Sequence, residues 1–77
     1  MPAPAVTPDL PPLVCRDFTA WPLGGARFVG AYLTPDGRWE VLHLGPRMER
    51  LHGVHLSRVA AEVEAAALAV VLNLETV

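Results

Sequence analysis

The chain has one cysteine, no lysine, and no uncharged stretch long enough to span a bilayer. Each scarcity excludes something. Cys15 alone cannot close an intramolecular disulfide, and no cationic segment followed by an apolar one stands near residue 1, so a reduced, cytoplasmic setting is expected. The longest uncharged run, AAALAVVLNL at 65–74, falls far short of the roughly 20 apolar residues a membrane-spanning helix needs, so no membrane partner is expected. Cationic charge is also scarce. Six arginines face eight acidic residues, and a net charge of −2 gives no general attraction to phosphate or to an anionic lipid surface. A nucleic-acid site would have to be a local patch. An arginine-only complement follows more simply from a GC-rich coding bias than from selection for bidentate recognition, although arginine is the better phosphate fork where a site exists.

With 77 residues there is one domain at most. A chain this short buries only about 60% of the surface that its unfolded form exposes, so help from a second chain is expected. Residues 1–12, MPAPAVTPDLPP, hold five prolines and read as an extended, polyproline-like arm, either a frayed end or a strap across a neighbouring subunit. Residues 13–77 form the domain.

Residues 13–20, LVCRDFTA, alternate loosely as a strand that Trp21-Pro22 and Gly24-Gly25 should end. RFVGAYLT at 27–34 and RWEVLHL at 38–44 flank Pro35-Asp36-Gly37, where proline presets the turn and Gly37 takes the left-handed position of a three-residue hairpin loop. That loop sets a register. Thr34 faces Arg38, Leu33 faces Trp39, Ala31 faces Val41 and Val29 faces His43; on the other side Tyr32 faces Glu40, Gly30 faces Leu42 and Phe28 faces Leu44. Both sides are largely apolar. One should cover a helix, while Phe28, Tyr32, Leu42 and Leu44 would form an exposed patch of the kind that marks an interaction site.

RMERLHGVHL at 47–56 suits either a short helix between Pro46 and Gly53 or a strand, with a strand at 50–56 preferred. Ser57 stands at an N-cap, and 58–73, free of glycine and proline, reads as a helix. Val59, Val63, Ala66 and Val70, with Leu74 at the edge, line up as the stripe expected to pack on the sheet. Arg58 and Glu62 mark its wet side. Ala61, Ala65, Leu68 and Leu72 form a second apolar stripe, and a helix apolar all round is normally buried all round. This excess is the strongest functional hint in the chain.

Chemistry-bearing residues are dispersed. As strand residues His52 and His55 point to opposite faces, whereas in a helix, at i and i+3, they could converge; with His43 and Glu49 nearby neither arrangement specifies a third ligand or a second shell, so no metal is expected. Cys15 has no neighbouring histidine to activate it and reads as a small buried hydrophobe. Asp17, Asp36, Glu40 and Glu49 are scattered, and Gly24-Gly25 and Gly30 do not open a phosphate-binding helix. No catalytic residue and no cofactor is expected.

Phe28 to Gly30, then Gly37-Arg38-Trp39, then Leu51-His52-Gly53 and the alanine-rich helix resemble, over residues 28–73, the ethylene-response-factor type of DNA-binding domain also used at integrase N-termini. The resemblance implies three antiparallel strands backed by one helix, with Ala31, Trp39, Val41 and His43 on the helix-packing face. Where that family presents arginines to DNA this chain has Tyr32, Thr34 and Leu44, and its tip aromatic is Asp36. Arg27, Arg38, Arg47 and Arg50 remain for phosphate contacts, but base readout needs polar groups where this sheet is apolar.

The expectation is an α+β domain, a three-stranded antiparallel sheet packed on one C-terminal helix. It acts as a non-catalytic binding module that self-associates, as a dimer by preference, or binds a partner protein. The expected interface is Ala61, Ala65, Leu68 and Leu72, with Phe28, Tyr32, Leu42 and Leu44 as a second surface. DNA binding through the sheet and its arginines is the alternative.

Overall fold

Residues 11–75 are described by the structure, a computed structural model. Most of the proline-rich arm therefore lies outside the described residues. The elements run β1 (Leu13–Val14), β2 (Phe18–Leu23), β3 (Arg27–Leu33), β4 (Trp39–Gly45), β5 (Met48–His55) and α1 (Arg58–Glu75). Every strand pairs antiparallel with its sequence neighbour, giving one sheet in the order β1-β2-β3-β4-β5 with α1 across one face. The expected class, α+β with an antiparallel sheet and a C-terminal helix, is the one observed; the sheet has five strands rather than three.

The two additional strands arise where punctuation was read too strongly. Trp21-Pro22 does not end a strand, because β2 runs through to Leu23. The amide of Leu33 donates to the carbonyl of Asp17 (2.8 Å), so odd-numbered residues of β2 carry the bonds to β3 and the nitrogen of Pro22 points the other way. On that side β1 reaches only as far as Ala20, so the missing donor of Pro22 lies at an open edge. β1 itself is a two-residue strand split from β2 by the Cys15–Asp17 turn, in which the Cys15 amide donates to the carbonyl of Phe18 (2.8 Å).

The central hairpin has the register that its loop dictates: Phe28 pairs with Leu44, Val29 with His43, Ala31 with Val41, Tyr32 with Glu40 and Leu33 with Trp39. The Thr34 amide donates to the Arg38 carbonyl (2.7 Å) and the Gly37 amide to the Thr34 carbonyl (3.0 Å), with Gly37 at φ 87°. Asp36 locks the tip. Its carboxyl is lowered to about 2 by hydrogen bonds from the Thr34 hydroxyl and then from Arg38.

The stretch 47–52 resolves as strand. Gly45 pairs with Met48 across a two-residue turn, and β5 continues to His55 with a bulge where Gly53 opposes Val41 and Leu51 opposes Leu42, leaving His52 extra. Helix α1 starts as the sequence implies, with the Ser57 hydroxyl accepting from the Ala60 amide (3.2 Å).

The core lies between α1 and the face of the sheet that carries Thr19, Trp21, Leu23, Val29, Ala31, Val41 and His43, all buried. The helix meets it with Ala61, Ala65 and Ala69, each fully buried, flanked by Leu68 and Leu72. The largest side chains that are wholly enclosed are only Val29, Val41 and Thr19. Three alanines one turn apart let the helix backbone approach the sheet closely, at the expense of core volume.

Candidate functional site

The orientation of α1 corrects the expected one. Val59, Val63 and Leu74, assigned to the sheet by periodicity, are 70%, 67% and 61% exposed, while Ala61 and Ala65 are wholly buried. Leu68 and Leu72 pack partly buried against the same core. The four residues expected to meet a partner are thus the helix's inward face, and Ala61 and Ala65 have no surface left to offer.

Arg58 and Glu62 explain the reversal. Instead of facing water, Arg58 reaches over the β1–β2 turn. Its guanidinium donates to the carbonyls of Arg16 (2.6 Å), Cys15 and Phe18 (3.1 Å) and to the Thr19 hydroxyl (2.9 Å), and lies 5.0 Å from the centre of the Trp39 ring. Glu62 accepts from the Thr19 hydroxyl (2.5 Å) and from Arg58 (3.3 Å). On the other flank Glu64 meets His55 at 2.5 Å in the space left by Gly53, where a Cβ would collide with the carboxylate. Every charged side chain of α1 from 58 to 74 is therefore drawn toward the sheet. What remains outward is Val59, Ala60, Val63, Ala67 and Val71 with Leu74, continued by Leu56, which is 87% exposed.

The opposite side of the domain is a second apolar surface. Alternation puts Phe28, Tyr32, Leu42 and Leu44 on the sheet face away from α1, as expected, and adds Phe18, Leu51 and Val54. Phe28, Leu51 and Val54 are exposed; Tyr32, Leu42 and Leu44 are half-buried. The rings of Phe18 and Tyr32 stack with centroids 5.6 Å apart, and burial raises the Tyr32 phenol above its ordinary value. Gly30 lies beneath this stack, where a Cβ would fall 2.6 Å from the Thr19 carbonyl and 2.8 Å from the Tyr32 ring. The contributions of β5 were missed because its register could not be read across an unpredicted bulge.

Among the described residues the histidines and carboxylates are dispersed over the fold. His43 is buried, 6.3 Å from the ring of His52, and its Nε2 has no hydrogen-bond partner among the described residues; burial, and then Arg27, His52 and Arg50, lower its pKa. His55 belongs to the separate pair with Glu64. Among the described residues no group of three His, Cys, Asp or Glu is placed to hold a metal ion. Of the four arginines considered for nucleic acid, Arg27 and Arg50 lie on the helix side around His43, Arg47 sits in the β4–β5 turn, and Arg38 is engaged by Asp36 (2.7 Å) at the far end of the hairpin. They do not share the open sheet face. No described helix is long and apolar enough to cross a membrane.

Fold and site together define a small two-layer α+β domain with an apolar surface on each outer side. No protein-family model, curated protein or solved structure matches the chain.

Proposed function

We propose that this domain is a non-catalytic binding module that associates with a protein partner, a second copy of itself first among them, through apolar surface on its helix and its sheet. The observation that carries the reading is an inverted size distribution. Ala61, Ala65 and Ala69 of α1 face the core, while Val59, Val63, Val71 and Leu74, each worth about 1.5–3 kcal/mol when fully buried, face outward. A small domain that leaves several large apolar side chains outside gains by covering them with another chain. The charged side chains drawn inward along α1 support the same reading, because they leave the outward face apolar.

The DNA alternative has less support. Its arginines divide between two ends of the sheet, and the face that would meet a groove is apolar. Sedimentation velocity over a wide concentration range tests the proposal, with Val59→Glu/Val63→Glu and Leu51→Glu/Val54→Glu as the two surface variants. The wild type should associate as concentration rises, and at least one variant should remain folded and lose the association. A wild-type chain that stays monomeric throughout and binds duplex oligonucleotide with a steep salt dependence would replace this reading with the alternative.

A further inference from the structure

The outer sheet face and the proline-rich arm meet at Pro11. In β1 the Cys15 amide donates to the Phe18 carbonyl and Leu13 pairs with Ala20, so the next bonded position of that register would set Pro11 against Pro22. Neither proline has an amide to donate. The ladder cannot extend toward residue 1 in this register, and the preceding chain is steered off the β2 edge. One face of the sheet is already covered by α1. Only the outer face is open.

That face has a relief suited to a polyproline chain. Register lines up Phe28 with Leu44 on one side and Phe18 with Tyr32 on the other, and the small residues Ala20 and Gly30 pair between the two rows. The Tyr32 ring leans over Gly30, and Phe28 stands exposed across from it. Aromatic-walled apolar troughs take polyproline segments, whose preset backbone loses little entropy on docking. We infer that residues 1–10 cross the outer face of their own sheet from the β2 edge toward β5, seated between Phe28 and Tyr32 and continuing over Leu42 and Leu51. This inference goes beyond the binding-module reading: it assigns the sheet half of the apolar surface to the chain itself and leaves the outward side of α1 for a partner.

Reach and pattern both fit. Ten residues of polyproline extend about 31 Å, whereas the strand spacings from β1 to β5 add up to about 19 Å. At roughly three residues per turn, Pro2, Ala5, Pro8 and Pro11 form one edge without a polar side chain. Alternation puts Pro11 on the same side as Leu13, the outer one, which aims that edge at the sheet. Asp9, the one charged side chain of residues 1–10, falls on a different edge and close to Pro11, so it stays at the β2 side, away from Glu40 on β4 and Glu49 on β5. The tether favours the chain's own face, because it supplies an effective concentration that a second copy's arm reaches only in concentrated solution.

A nitroxide on Val6→Cys in the full chain, with Cys15→Ser as background, tests the path. Val6 is about 16 Å of polyproline from Pro11, which puts the label over β4 and β5. The methyl NMR signals of Leu42, Leu51 and Val54 should be lost, and those of Val59 and Val63 on α1 kept. Phe28→Ser, at an exposed position, should restore much of the lost intensity, and Pro4→Gly/Pro8→Gly should do so without altering the sheet. Absence of loss, or loss spread evenly over both sides of the domain, would overturn the inference. A second sample mixes isotope-labelled chain lacking the nitroxide with unlabelled chain carrying it. Loss there equal to that in the first sample would give the trough to a neighbour's arm and overturn the own-face path. Association of the wild type is read separately by sedimentation, so the binding-module reading stands or falls on its own data.

Discussion

The two long sides of α1 differ less in hydrophobicity than in size. Inward are Ala61, Ala65 and Ala69, fully buried, with Leu68 and Leu72 at their flank; outward are Val59, Val63 and Leu74, mostly exposed. Hydrophobic area alone does not choose between the two sides. The alanine side wins because a helix packed on a five-stranded sheet gains from close approach along its whole length, and because only that orientation carries Arg58 to the carbonyls of the β1–β2 turn and Glu62 to Thr19. Polar groups on one edge of a helix can thus choose the face that its apolar stripes leave ambiguous.

The difference between the two sides is tested most severely by adding the same atoms to each. Ala65→Leu inserts a side chain where there is no space and should destabilise the domain by about 3 kcal/mol, the upper end of what overpacking costs. Val63→Leu, on the open side, should shift stability by no more than about 0.5 kcal/mol. Chemical denaturation of both variants checks this, and equal effects would mean that the two sides have been exchanged. Arg58→Ala should come next, with a loss of about 2 kcal/mol, since it strips a charged donor from three carbonyls and a hydroxyl in a half-buried setting. Arg58→Lys should recover little of it, because one ammonium cannot span acceptors that a planar fork bridges.

The smallest effect concerns the enclosed side under acid. His43 is buried there with its pKa held below the ordinary 6.5, first by burial and then by Arg27, His52 and Arg50. The unfolded chain therefore binds the proton before the folded one does, and stability rises with pH across that interval. The denaturation midpoint should be level above pH 6.5 and decline as pH falls from that value toward the lower folded-state pKa. His43→Leu should flatten the decline; an unchanged slope would assign it to other groups.

Much of the architecture was legible in local chemistry. Pro35-Asp36-Gly37 specified the hairpin loop, the loop specified every pairing between β3 and β4, and alternation then placed Phe28, Tyr32, Leu42 and Leu44 on the face away from the helix. Ser57 marked the helix start. What was not legible depended on distant partners. Pro22 fits within β2 only because β1 has already ended beside it, and β5 extends back to Met48 only because β4 offers an edge. Arg58 looked like a solvent residue because the carbonyls that claim it lie some forty positions earlier in the chain. A regular run of alanines at 61, 65 and 69 was the one local sign of a close helix contact, and the larger valines beside it masked that sign.

The sequence by itself determined the class, the central hairpin with its register, the extent of the helix, and the fact that apolar surface exceeds what one short chain can bury. These follow from turn stereochemistry and from side-chain periods of 2.0 and 3.6, which act within a few residues. Only the tertiary structure decided the number of strands and which side of the helix is inside. That choice rests on shape and on the satisfaction of polar groups between segments far apart in sequence, where alanine fits the sheet and a single guanidinium ties the helix to the turn.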